Sequence, residues 1–124
     1  MLNVHTVAAA GYGALDAQLL DPTRAEALVF AGVTRRLEAA FSDPKSSFAS
    51  RASVLHDNRR LWLAAAAALA DDGNGMPAPL RASLLSLAAF VDRQTRALLK
   101  GKGDPRILFE INRRVVGGLS HGAR

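Results

Sequence analysis

The chain has 124 residues, which suits one domain with a single hydrophobic core, and its lack of cysteine excludes disulfide bonds and thiolate-ligated zinc. Its net charge of +5 and isoelectric point near 10.7 suit an anionic partner, such as a nucleic acid, a membrane surface or an acidic protein. The longest apolar run, Leu61 to Ala70, is about half of a membrane span, and Met1 to Leu20 lacks the basic and apolar blocks of a secretory signal. We therefore expect a soluble, cytoplasmic protein without a membrane partner.

The first strong helix signal follows a weakly patterned N-terminal segment. Residues 1–20 are small and only weakly periodic, so we expect a weakly ordered arm or a helix there. Asp21 can then cap a helix whose first turn contains Pro22. Apolar residues on one face of this helix are Phe30, Val33, Leu37, Ala40 and Phe41. The helix is expected to end before Pro44.

The central helix is predicted over residues 48–70 and contains the only tryptophan of the chain, Trp62. Its apolar stripe consists of Phe48, Ala52, Leu55, Trp62, Ala66 and Leu69. Asn58 falls beside these residues at helical spacing, so its amide points along the apolar stripe rather than away from it. Such an amide must be hydrogen-bonded, either inside the core or to a partner on a binding face. The helix is expected to end at residues 71–75, whose glycines and asparagine readily take positive φ.

Two further helices are predicted after this turn. The third opens at residues 76–79, where either proline suits a first turn, and its apolar positions are Leu80, Leu84, Leu87, Val91 and Leu98. Residues 100–103 end this helix, and we interpret them as a flexible linker because they lack the spacing of a phosphate-binding loop. The last helix begins at residues 104–105, and its inward positions are Leu108, Ile111, Val115 and Leu119.

The helical signals account for the whole pattern. No segment shows the period-two alternation of a strand, and the connections between the helices are short. We therefore predict an all-α fold and a single domain over residues 1–124. It should form a small bundle of four to five antiparallel helices, the fifth depending on residues 1–20.

Catalytic chemistry has little support in the sequence. His5, His56 and His121 lie in different segments, and none forms the paired spacing of a metal-binding helix. We therefore predict no catalytic residue, no metal site and no cofactor, and we do not expect an enzyme.

Protein binding is favoured over nucleic-acid binding. Arg93, Arg96 and Lys100 follow one side of a helix, as phosphate contacts require. Base stacking also requires exposed aromatic residues, and the few aromatic residues here lie mostly on apolar stripes. A small helical domain without catalytic groups commonly offers an apolar groove to an amphipathic helix of another protein.

Three blocks of sequence stand out together. They are Asn58-Arg59-Arg60-Leu61-Trp62, the turn Asn74-Gly75-Met76-Pro77 with Leu80-Arg81-Ala82, and Ile111-Asn112-Arg113 with Gly118-Leu119. In combination these blocks resemble the FlaF family of flagellar biosynthesis regulators. Their order and spacing cover residues 21–119. The N-terminal segment offers only Tyr12 as a match to an early tyrosine of the family.

The resemblance implies a cytoplasmic secretion chaperone that binds flagellin and promotes its synthesis, its export and flagellum assembly. The partner-binding residues would be Leu61, Trp62, Met76, Leu80 and Leu84 for apolar contact, Asn58 and Asn112 for register, and Arg59, Arg60 and Arg113 for acidic residues at the rim. Alternatively, Asn58, Trp62 and Asn112 hold the bundle together. Two other functions stay open, namely regulation of flagellin translation through binding of FlbT and, less favoured, direct binding of flagellin messenger RNA.

Overall fold

Four α-helices make up the described part of the chain. The computed structural model describes residues 22–122, with side chains for residues 26–117. The helices are α1 (Pro22–Ser42), α2 (Phe48–Ala70), α3 (Ala78–Leu99) and α4 (Arg106–Gly122). No strand occurs within residues 22–122, and the predicted all-α fold is confirmed. The arm or fifth helix predicted for residues 1–20 lies outside the described residues.

Helices that pack together run in opposite directions. α1 packs against both α2 and α4, and α3 packs against α2. Phe30 of α1 contacts Trp62 of α2, whereas Arg36, further along α1, reaches Asp57, an earlier position of α2. The same reversal relates α2 to α3 and α1 to α4. Short connections thus join antiparallel helices along the chain.

The core lies between these helices and is mainly apolar. Its largest fully buried apolar side chains are Phe30, Leu37, Leu55, Val91 and Leu108. Phe30 packs edge-to-face against Trp62, with ring centroids 5.5 Å apart. Two residues assigned to apolar stripes are exposed, Phe48 at 67% and Leu80 at 48%. Both lie in the first turn of a helix, where fewer neighbours cover a side chain than at its middle.

The turn between α2 and α3 closes through side-chain hydrogen bonds. Asn74 Nδ2 donates to Ala68 O at 3.0 Å, and Asn74 Oδ1 accepts from Met76 N at 2.9 Å. The helix ends at the predicted turn, although no residue of this turn takes the positive φ that its glycines and asparagine would allow. The Asn74 side chain donates a hydrogen bond to a carbonyl group at the C-terminal end of α2. In many helices a residue with positive φ provides this pairing through the backbone.

Residues 100–103, interpreted from the sequence as a flexible linker, form a defined cap on α3. Gly101 N donates to Leu98 O at 3.0 Å, and Lys102 N donates to Ala97 O at 2.9 Å. Gly101 has φ +79°. This is a Schellman motif, which pairs the last carbonyls of a helix and favours glycine at the left-handed position.

Candidate partner-binding surface

Three of the predicted site residues form a buried chain of hydrogen bonds between α2 and α4. Trp62 Nε1 donates to Asn112 Oδ1 at 2.9 Å, and Asn112 Nδ2 donates to Asn58 Oδ1 at 2.8 Å. Trp62 is 3% exposed and both asparagines are 0% exposed. We call these three residues the buried relay. Because each side chain pairs with the next, the relay fixes how α2 and α4 face each other, and its members belong to the core.

One atom of the buried relay has no partner. Asn58 Nδ2 is buried and makes no hydrogen bond with any described residue. A buried donor without an acceptor costs about 1–3 kcal/mol. Asn58 therefore contributes to the contact between α2 and α4 through its oxygen alone. Leu61, another predicted site residue, is also buried at 6% exposure.

The three predicted rim arginines each pair with a carboxylate of the chain itself. The pairs are Arg59–Asp92 at 2.7 Å, Arg60–Asp57 at 3.1 Å and Arg113–Glu38 at 2.7 Å. The Arg60 side chain is the most open, at 81% exposure. Solvent-exposed ion pairs contribute only about 0–1 kcal/mol, so a carboxylate of a partner can replace Asp57 at Arg60 at little cost. The Arg59–Asp92 pair, by contrast, is partly buried.

An open groove lies between α2 and α3, and we call it the α2–α3 groove. Its volume is about 250 Å³, and it is lined by Arg59, Trp62, Leu63, Ala66, Leu85, Ala88, Ala89, Val91 and Asp92. The buried side chains of Trp62, Ala88 and Val91 lie deepest, whereas Leu63 is 51% exposed. Apart from the Arg59–Asp92 pair, the lining is apolar, so this surface is suited to binding apolar side chains.

The predicted apolar contacts do not come together on this surface. Trp62 lines the α2–α3 groove, but Met76, Leu80 and Leu84 do not. Leu80 is exposed, while Met76 and Leu84 are half-buried. The partner-binding role of these residues stays a prediction, and the structure gives Trp62 different neighbours from those expected.

Most of the residues that line the α2–α3 groove were not among the predicted site residues. Leu63 and Leu85 are the clearest cases, because each is an apolar residue beside a predicted stripe rather than on it. An apolar face that is wider than one stripe indicates contacts beyond those of a single helix pair. Leu63 widens the apolar face of α2 in this way, so the sequence contains the signal for this residue. Which residues of α3 lie opposite Leu63 depends on the pairing of the helices, and periodicity does not define this pairing.

The family-like block at the α2–α3 turn has a structural role. Arg81 Nε donates to Leu69 O at 3.0 Å, and Asn74 caps the same end of α2. Both contacts pair carbonyl groups that have no partner inside the helix. They attach the beginning of α3 to the end of α2 and so help to set the spacing of the two walls of the α2–α3 groove.

In the described part of the chain, no group of three or more histidine, aspartate or glutamate side chains is placed to hold a metal ion. None of the described helices combines the length and the apolar character that crossing a membrane requires.

The described residues define a small all-α domain with an apolar groove between two antiparallel helices. The family model for flagellar protein FlaF matches residues 8–119 of this chain. The chain therefore belongs to the FlaF family, which confirms the resemblance noted in its sequence. No curated protein and no solved structure matched the chain. Membership of the family indicates a role in flagellar biology.

Proposed function

We propose that this protein binds flagellin in the cytoplasm as a secretion chaperone and thereby promotes flagellin synthesis, export and flagellum assembly. The observation that supports this proposal most directly is the open α2–α3 groove in a member of a flagellar family. Leu63 stands half-exposed in this groove, although full burial of a leucine side chain gains about 1.5–3 kcal/mol. A groove of this kind suits the apolar face of an amphipathic helix.

The chaperone role follows from what unpolymerised flagellin requires. Its terminal segments form amphipathic helices that assemble with one another, so their apolar faces must be covered before export. The same segments must also be released. A groove of about 250 Å³ receives few side chains, which favours moderate affinity and reversible binding. We infer that the protein acts by binding alone and not by catalysis.

The predicted site residues divide into two groups by burial. The buried relay and Leu61 act indirectly, because they hold α2 in place and support the deepest part of the α2–α3 groove. The residues that remain accessible for direct contact with flagellin are Arg59, Arg60, Met76, Leu80, Leu84 and Arg113. Arg59 lines the groove itself, whereas Arg113 lies on α4 and pairs with α1.

Titration calorimetry with purified monomeric flagellin tests the proposed function. The protein should be treated with nuclease first, so that bound nucleic acid does not contribute to the signal. A stoichiometric complex that survives moderate salt supports the chaperone role. Failure to bind flagellin, together with recovery of FlbT from motile cells, would move the function to regulation of flagellin translation. Affinity for flagellin messenger RNA that falls steeply with added salt would indicate nucleic-acid binding.

A further inference from the structure

One end of the α2–α3 groove carries an excess of positive charge. Asp92 Oδ1 accepts a hydrogen bond from Arg59 Nε at 2.7 Å, and Asp92 Oδ2 lies 3.1 Å from Arg96 Nη2. The neighbouring Arg93 is exposed, lies over the Phe90 ring at 5.9 Å and forms no ion pair with a described residue. The guanidinium groups of Arg59 and Arg96 are therefore matched by a single carboxylate at the groove, and Arg93 adds a further positive charge on α3, so an anionic partner is favoured at this end.

The dimensions of the α2–α3 groove favour protein side chains over a small organic ligand. Its volume of about 250 Å³ falls below the roughly 300–1,000 Å³ of typical small-molecule sites. A dry cavity of about 150 Å³ already accepts a benzene-sized group, so this groove suits one or two apolar side chains. Ala66 and Ala89 line it with small side chains, which allow the backbone of another helix to approach closely.

We propose that the α2–α3 groove binds an acidic amphipathic helix of flagellin. Apolar side chains of that helix contact Leu63 and Leu85. Its carboxylates pair with Arg59 and Arg96. Arg59 donates to Asp92 through Nε, which leaves its two terminal nitrogens to bind a second carboxylate in a bidentate manner. This inference rests on the proposed function and adds the surface and the charge that flagellin binding uses.

Two leucine variants test the apolar part of this proposal. Leu63 and Leu28 are similarly exposed, at 51% and 44%, but Leu28 lies on α1 and does not line the groove. Because both side chains are about half-exposed, Leu63→Gln and Leu28→Gln should melt close to the wild type. In calorimetry with monomeric flagellin, Leu63→Gln should raise Kd about tenfold or more, and Leu28→Gln less than about twofold.

Two arginine variants test the charged part. Arg96–Asp92 and Arg114–Glu110 are both ion pairs between residues four apart on one helix, and both arginine side chains are exposed. Arg96→Glu and Arg114→Glu each reverse the charge of one such arginine, the first at the α2–α3 groove and the second on α4. Arg96→Glu should slow association with flagellin and reduce the salt dependence of binding, because exposed charges act mainly on the association rate. Arg114→Glu should leave both unchanged.

The combined results separate failure of this inference from failure of the proposed function. A wild-type protein that does not bind flagellin refutes the proposed function and this inference with it. Wild-type binding with Leu63→Gln and Arg96→Glu both at wild-type affinity overturns the groove as the flagellin site and leaves the function in place. If Leu63→Gln raises Kd but Arg96→Glu associates with flagellin at the wild-type rate, the helix that binds the groove is not acidic.

Discussion

Replacement of Asn112 and Asn58 by leucine, one at a time, should give very different stabilities although both side chains are fully buried. Within the described part of the chain, one atom of the wild-type relay is unpaired, namely Asn58 Nδ2. Asn112→Leu also removes the acceptor of Trp62 Nε1 and the donor to Asn58 Oδ1, which adds two unpaired atoms. At about 1–3 kcal/mol each, they lower the free energy of unfolding by roughly 2–6 kcal/mol. Asn58→Leu removes the unpaired Asn58 Nδ2 and leaves Asn112 Nδ2 without its acceptor. The number of unpaired atoms therefore stays at one, and the cost from unpaired atoms is near zero.

Urea unfolding followed by circular dichroism measures these differences. The extra volume of leucine costs about 1–3 kcal/mol in a packed core, but it affects both variants, so their difference reports mainly the hydrogen bonds. Unchanged m-values check that the two folded states stay compact. The double variant gives the sharper result. It leaves only Trp62 Nε1 unpaired, so adding Asn58→Leu to Asn112→Leu should raise stability instead of lowering it further.

Two outcomes would contradict this reasoning. The first is an equal loss of stability in the two single variants, and the second is an additive loss in the double variant. An equal loss would mean that Asn58 Nδ2 has an acceptor in solution, so that Asn58 is a fully paired member of the relay and its removal costs as much as that of Asn112. An additive loss would mean that the hydrogen bond between Asn112 and Asn58 does not couple the two side chains in solution.

Three other predictions concern the cap on α3, the start of α4 and the centre of the core. Gly101→Ala should lower the free energy of unfolding, measured in urea, by about 1–2 kcal/mol because Gly101 has φ +79°. Gly75→Ala should not lower it, because Gly75 has open space around it and no positive φ. Equal losses in the two variants would contradict the role of Gly101 in the cap. The pKa of Asp104 lies below its ordinary value of 3.8, mainly because of hydrogen bonds from the Arg106 side chain and, after these, from the Arg106 backbone. The ionised Asp104 carboxylate therefore contributes to stability above pH 3.8, and this contribution is lost as the pH falls through the lower pKa of the folded state. Asp104→Asn should therefore flatten the acid limb of stability against pH, and an unchanged limb would exclude this contribution. Trp62→Ala should lose about 3–5 kcal/mol by the same urea assay, and a variant as stable as the wild type would remove Trp62 from the core.

The helix boundaries were predictable because their signals are local in the sequence. The central helix was predicted over residues 48–70, and α2 spans Phe48–Ala70. Its start is fixed by Ser47, whose side chain accepts a hydrogen bond from Ser50 N at 3.0 Å. The predicted start of the last helix is supported by Asp104, which accepts from Arg106 N at 3.0 Å. Each signal involves residues within one turn, so it does not depend on the packing of the bundle.

The pairing of side chains across helices was not predictable in the same way. Arg59 and Asp92 are 33 positions apart, and Trp62 and Asn112 are 50 positions apart. Helical periodicity identifies an apolar face, but it does not say which helix covers that face or at what level. The sequence therefore placed Leu84 beside Trp62 in the expected surface, whereas α3 presents Leu85 and Ala89 to the groove.

Trp62 belongs both to the core and to the candidate binding surface. Trp62 belongs to the buried relay through its Nε1, and it also lines the α2–α3 groove. Its replacement by alanine would thus disturb stability and binding together, and loss of binding in that variant would not identify the cause. Leu63, the next residue, lines the groove but is half-exposed and makes no relay contact. Because one helix position separates the two roles, retained melting with lost flagellin binding in Leu63→Gln would assign binding to the groove independently of the core.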